Sequence, residues 1–229
     1  MSRTWKALVV LAAVGGLYQV GVAASGSGAP SPSPMSAGPT ITPEQQAIGV
    51  YNNGISHRDK GNKFEEQAAV QQAPERDKTV EKARDEFEKA LKDFKRATEL
   101  SPKMYQAYNG MGYAYRKTGD YQKALEMYDK ALAMAPGFPD AMEYRAEAYL
   151  ALNRVDDAKQ AYLALFATDR AQADLLMKAM ATWLEKRRAD PAGIDPAVLS
   201  GFETWMQERA KLAATTQAMA LKGNRSIWN

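Results

Sequence analysis

The sequence predicts an all-α chain built as a solenoid of antiparallel helix pairs, and two observations carry that prediction. The first is a fixed period. Ala90, Ala124 and Ala158 recur at a step of 34 residues, as do Phe94, Tyr128 and Tyr162. Pro102 aligns with Pro136 and Tyr115 with Tyr149 in the same register. Self-similarity at this length marks stacked repeats, each of which needs its neighbours to bury its apolar face. The second is the stretch YQAYNGMGYAYRKTGDYQKALEMYDKALAMAPGF, residues Tyr105–Phe138. Two short helical patterns flank the turn Thr118-Gly119-Asp120, and Pro136-Gly137 closes the second. Small residues at Gly112, Ala124 and Ala131 face large ones at Tyr108, Met111, Tyr115 and Tyr128. Two helices approach closely and interlock when small positions meet large ones at fixed spacing.

Tyr108, Met111, Gly112, Tyr115, Ala124, Tyr128, Ala131 and Pro136 are also the residues by which this stretch resembles a tetratricopeptide repeat. The resemblance implies a right-handed superhelix of helix pairs that serves as a partner-binding scaffold. It names no partner. It also implies that the first helix of each repeat lines the inner, concave curve.

Taken in order, the chain starts with a segment that looks like a secretory signal, residues 1–24. Arg3 and Lys6 form a basic start, Ala7–Val14 is an unbroken small and apolar run, and Val22-Ala23-Ala24 offers a cleavage site after Ala24. The competing reading is an uncleaved inner-membrane anchor over residues 7–24, about 18 residues and near the lower limit for a span. Residues 25–41 are rich in Ser, Pro and Gly, with too few apolar groups to offset the cost of ordering, and read as a disordered linker.

Residues 42–104 read as a first repeat enlarged by an insertion. Thr42, Pro43 and Gln45 compose a helix start, with Thr42 as cap and Gln45 placed for a capping box. Gly54 and Gly61 share the spacing of Gly112 and Gly119, and His57 falls where Tyr115 falls. From Gly61 to Ala90 there are 29 residues, against five from Gly119 to Ala124, so about 24 are inserted. The spacing predicts two long helices meeting near Gln72–Pro74. Val80, Ala83, Phe87, Ala90, Phe94 and Ala97 form one apolar stripe on the second. The hairpin's functional reading is a docking arm or a dimerising coiled coil; its plainer reading is a solvated, salt-bridged extension.

Residues 105–138 are the second repeat and 139–172 the third. In the third, Met142, Ala146, Tyr149, Ala158 and Tyr162 keep the pattern. Asn153, Leu165 and Arg170 depart from Gly119, Ala131 and Pro136. Asparagine tolerates the left-handed turn conformation that glycine takes, while Leu165 calls for a looser neighbour. Residues 173–229 lack the period. Ala173–Arg188 carries Leu176, Met180, Trp183 and Leu184 on one side. Pro191 and Gly193 break it, and Asp195-Pro196 starts a helix bearing Leu199, Phe202, Trp205, Met206 and Leu212. A solenoid's open end needs covering, so these read as capping helices with Trp183 and Trp205 in the core. Lys222–Asn229 is expected to fray.

Composition narrows the function. There is no cysteine, which excludes disulfides, thiol catalysis and Cys-based zinc sites, and only one histidine. The net charge of +3 includes Arg3 and Lys6 of the signal-like segment, so nothing favours nucleic acid. No phosphate loop, paired histidines or nucleophile elbow is present. His57 occupies a helix packing position, and Glu65-Glu66 and Asp156-Asp157 read as solvated faces. No cofactor, metal site or small-molecule substrate is expected, and an enzyme ranks third among the readings.

The concave surface is the candidate site. Helical spacing from the packing residues places Asn109, Tyr113, Arg116 and Lys117 there from the second repeat. The third supplies Glu143, Tyr144 and Glu147, and the first Asn52, Ile55 and Arg58. Tyrosine and arginine are favoured binding anchors, and an extended peptide or helix suits such a surface. Glu143 and Glu147 argue against a clamp for an acidic chain end. The expectation is a non-catalytic scaffold, adaptor or assembly factor exported to the bacterial periplasm. The alternative is a membrane-anchored structural protein that self-associates through the charged hairpin.

Overall fold

In the computed structural model the protein is described over residues 41–225, which form eight α-helices and, among the described residues, no strand. The signal-like segment and all but the last residue of the linker lie outside the described residues, as do 226–229. No helix among the described residues is long and apolar enough to cross a membrane.

The first helix, α1 (Pro43–Ala68), starts as its sequence requires. Thr42 Oγ1 accepts from the Gln45 backbone N–H at 3.2 Å, and Gln45 Oε1 accepts from the Thr42 N–H at 2.9 Å. This reciprocal box satisfies two donors that a helix N-terminus otherwise leaves without partners. The turn at residues 69–74 leads to α2 (Glu75–Leu100), so the long hairpin forms and reverses at Gln72–Pro74. Ala83, Phe87, Ala90, Phe94 and Ala97 are all buried on α2. Val80 corrects the expected stripe. It is 51% exposed, and Thr79 turns inward in its place. Both positions satisfy the helical period. Thr79 enters at little cost because its hydroxyl donates to the Glu75 carbonyl at 2.9 Å, which leaves no polar atom stranded.

Glycine makes the hairpin tight. A Cβ at Gly54 would stand 2.7 Å from the Phe94 ring, and one at Gly61 would stand 2.6 Å from the Phe87 ring. At Gly112, on α3 (Tyr105–Lys117), a Cβ would stand 2.6 Å from Tyr128 on α4 (Tyr121–Met134). Gly61 therefore packs inside a helix, whereas Gly119 sits in a turn at φ +90° with nothing near it. In the third pair, α5 (Pro139–Ala151) and α6 (Val155–Thr168), Asn153 takes the same turn position at φ +60°.

The core runs along the stack. Tyr51, Phe94, Met111 and Met127 join the first and second pairs. Phe87, Tyr113, Tyr128 and Tyr144 connect all three. Tyr162, Leu165, Leu176, Met180 and Phe202 bind the third pair to the C-terminal helices α7 (Arg170–Ala189) and α8 (Pro196–Arg225). Helix α7 starts at Arg170 rather than Ala173, because Asp169 accepts the Gln172 N–H at 3.0 Å and caps it. Trp183 is buried with its ring edge-on to Phe202. Trp205 is half-buried, stacked on Phe202 and edge-on to Tyr162. Helix α8 continues to Arg225, so Lys222–Arg225 is helical where fraying was expected.

Candidate functional site

The inner face is formed by α1, α3 and α5, and Tyr113 is its centre. Its hydroxyl donates to Asn62 Oδ1 at 2.7 Å, and its ring meets Tyr144 edge-on at 5.1 Å. Three cations surround that ring. Arg116 lies 5.1 Å, Lys117 5.6 Å and Arg58 5.9 Å from its centroid. Aromatic faces attract cations within about 6 Å, and more strongly where water is excluded. Burial raises the Tyr113 hydroxyl to about 12, with the neighbouring Arg116 charge pulling the other way.

Two ion pairs cross from repeat to repeat. Arg116 pairs with Glu147, joining α3 to α5, and Lys117 pairs with Glu65, joining α3 to α1. Burial is the largest influence on Arg116 and opposes its charge, but Glu147, Tyr128, Tyr113 and Glu143 together outweigh it, so the guanidinium is held even more firmly charged than usual. Burial depresses the Lys117 amine, helped by the Arg116 charge and resisted by Glu65. Arg58 is itself buried and bonds Asp59 through Nη2 at 2.7 Å.

Arg58, Tyr113, Arg116, Lys117, Tyr144 and Glu147 thus come together in one cluster. Glu143 is close enough to Arg116 to reinforce its charge, and the other three are not among the cluster's contacts. Ile55 packs on the apolar seam with Tyr51 and Phe94. Asn109 and Glu143 are fully buried, and Asn52 is half-buried. The ten residues were expected on an open inner curve. Here they fold largely into contact with one another, because charge pairs and tyrosines from adjacent repeats complement each other across the narrow face. Asn109 differs in kind: neither its Oδ1 nor its Nδ2 has a hydrogen-bond partner, and the Asn52 Oδ1 also lacks one.

Sequence reasoning missed Asn62, Glu65 and Phe87, which complete the cluster from the inserted hairpin. The signal was available. Helix α1 runs on past Arg58, and helical spacing carries the same face to Asn62 and Glu65. The reading of Glu65 as a solvated carboxylate is corrected by its pairing with Lys117. His57, read as a packing residue, is half-buried, with Nδ1 2.7 Å from Glu86 of α2 and Nε2 3.9 Å from Asp93.

Residues 105–138 match the family model described as tetratricopeptide repeat. That helix pair is a tetratricopeptide repeat. The matched span covers α3 and α4, the pair in which Gly112 meets Tyr128. Among solved structures, this repeat protein is similar to the Arabidopsis OM64 TPR domain, at 18% identity and a TM-score of 0.40. That alignment covers 57% of this chain and 95% of that one. It is also similar to the first TPR of Spaghetti (RPAP3) bound to HSP90 peptide SRMEEVD, at 17% identity and a TM-score of 0.41. There the alignment covers 58% of this chain and 94% of that one.

Proposed function

We propose that the chain is a non-catalytic scaffold that binds a polypeptide partner along the inner face of α1, α3 and α5, in the bacterial cell envelope. One observation carries the partner's chemistry. A buried carboxamide with neither atom satisfied costs about 1–3 kcal/mol, and Asn109 of α3 is in that state, while the Asn52 Oδ1 of α1 is buried without a partner as well. A carboxamide offers one acceptor and a two-hydrogen donor, the complement of a peptide backbone's N–H and C=O. A partner segment entering here would recover that loss on binding. Tyr113, Tyr144 and Arg116 supply ring and guanidinium surface for its side chains. Entry requires the inner face to open, and the exchangeable links holding it are the Arg116–Glu147 and Lys117–Glu65 pairs.

The envelope location rests on the sequence alone. A basic start, an apolar run and the small residues up to Ala24 are what an export signal needs, and the linker that follows would free the folded repeats from the membrane.

The test is cross-linking in intact envelopes, comparing wild type with Asn109→Leu. Leucine keeps the branching of asparagine and removes both orphaned atoms, so the variant's melting temperature should hold or rise. A partner cross-linked to wild type and lost from the folded variant supports the inner-face reading. Identical partners from both would place binding elsewhere. The mature N-terminus, read by mass spectrometry on the same sample, decides cleavage after Ala24.

A further inference from the structure

A second site adjoins the inner-face cluster and shares Glu65, Phe87 and Lys117 with it, where the inserted hairpin leans beside the turn of the second repeat. A cavity of about 510 Å³ opens there between the outer halves of α1 and α2 and the Thr118–Tyr121 turn. Its volume falls in the range of small-molecule sites, about 300–1,000 Å³. Val80 of α2 and Ala69 supply the accessible apolar wall, with Phe87, Ala83 and Ala68 almost fully buried beneath it. That placement accounts for the side chain that broke the expected stripe: Val80 leaves the helix interface and lines this space while remaining half-exposed. Gly119, whose φ of +90° keeps side chains out, leaves the turn side open.

The charged groups on the lining are unequal in sign. Arg76, Arg84 and Lys117 are cationic, and Glu65 is the single carboxylate among them. Glu65 is already engaged by Lys117. Arg76 and Arg84 are exposed, and their partners Asp77 and Glu88 stand on the same helix, away from the lining, at 3.0 and 3.4 Å. Exposed pairs of this kind contribute little, about 0–1 kcal/mol, so both guanidiniums are free to turn toward an incoming anion. The insertion itself builds the site. Shorten the first repeat to the length of the second, and Glu65, Arg76, Val80 and Arg84 all disappear.

We propose that this cavity binds a single-chain amphiphile, with its aliphatic tail against Val80 and Ala69, over the buried Phe87 and Ala83, and an anionic head held by Arg76 and Arg84. An apolar wall excludes a purely ionic ligand, and two mobile guanidiniums favour an anionic head over a neutral or cationic one. The inserted hairpin is then a ligand-binding element that borders the inner-face cluster, and its head contacts, Arg76 and Arg84, belong to this site alone.

The experiment uses the full chain labelled with ¹⁵N and titrated with sodium decanoate below its micelle concentration, with decanol and decyltrimethylammonium in parallel. Decanoate should give saturable amide shifts at Val80, Ala83 and Gly119. Decanol and the cationic amphiphile should bind at least tenfold more weakly. Arg76→Glu/Arg84→Glu should weaken decanoate at least tenfold, and Val80→Trp should block it by filling the space. All three substituted side chains are exposed, so the variants keep the wild-type circular dichroism. Equal binding of the three amphiphiles overturns the proposal. So does decanoate binding that survives either variant, or shifts confined to α3 and α5 on the inner face.

Discussion

The inserted hairpin and the compact second repeat use one packing rule to different ends. In both, a glycine lets an aromatic ring lie against the opposing helix: Gly54 under Phe94 and Gly61 under Phe87 in the hairpin, Gly112 under Tyr128 in the repeat. In the second repeat the rule is used once within the pair, at Gly112, and once toward the hairpin, where Gly110 lies against Phe94; Tyr128 is fully buried. In the hairpin it is used twice along longer helices and then runs out. Past Ala68 and Thr79 the turn and its flanks, Ala69–Lys78, are exposed. The comparison teaches that the rule sets how close two helices come. What surrounds them sets how much a violation costs.

The largest effect should come from Gly112→Val. Its Cβ would meet a ring that cannot withdraw, and overpacking of this kind costs about 3 kcal/mol, a fall in melting temperature of about 6–12 °C. Gly61→Val creates the same clash with Phe87, yet the hairpin's free end can splay, so its loss should be clearly smaller. Equal losses in thermal unfolding would break the comparison. Next, Ala124→Leu adds bulk at a fully buried position of the second repeat and should cost about 2 kcal/mol. An unchanged melting temperature would mean that α3 and α4 do not meet in the register described.

A smaller effect links the two regions chemically. Tyr113→Phe removes the hydroxyl that bonds Asn62 of the hairpin and should cost about 1 kcal/mol. Its pH signature is distinct. Burial raises both Tyr51 and Tyr113 to about 12, while an unfolded tyrosine titrates near 10. The folded state therefore holds these protons to higher pH than the unfolded state. Their contribution is intact below pH about 10 and is lost as pH rises through about 12. Urea unfolding from pH 9 to 12 should show a steep alkaline loss in wild type and a shallower one in Tyr113→Phe. The smallest effect belongs to the hairpin's end: Val70→Ser, at an 86% exposed position, should shift stability by less than about 0.5 kcal/mol.

Much of this architecture was legible without coordinates because its causes are local. Thr42 and Gln45 cap α1 from within four residues of chain. Asn153 supplies the left-handed turn because its side chain tolerates that backbone. The recurring alanines and aromatics mark helix pairs because small must face large wherever the period holds. The inserted length likewise implied two long helices, since the apolar spacing on α2 continues through it.

Tertiary structure decided what the period could not encode. Thr79 and Val80 satisfy the same helical spacing, and only the packing of α2 in the fold determined which faced inward. Arg116 and Lys117 read as part of the concave binding surface, and only folding brought Glu147 and Glu65 against them from other repeats. Burial of Asn109 without a partner depends on how the helices around α3 pack. The cavity beside the hairpin depends on how far α1 and α2 extend past a turn more than 30 residues downstream. Sequence periodicity determines which face a helix buries; charge pairing, orphaned polar atoms and cavities arise between elements, where distance in space has no counterpart in distance along the chain.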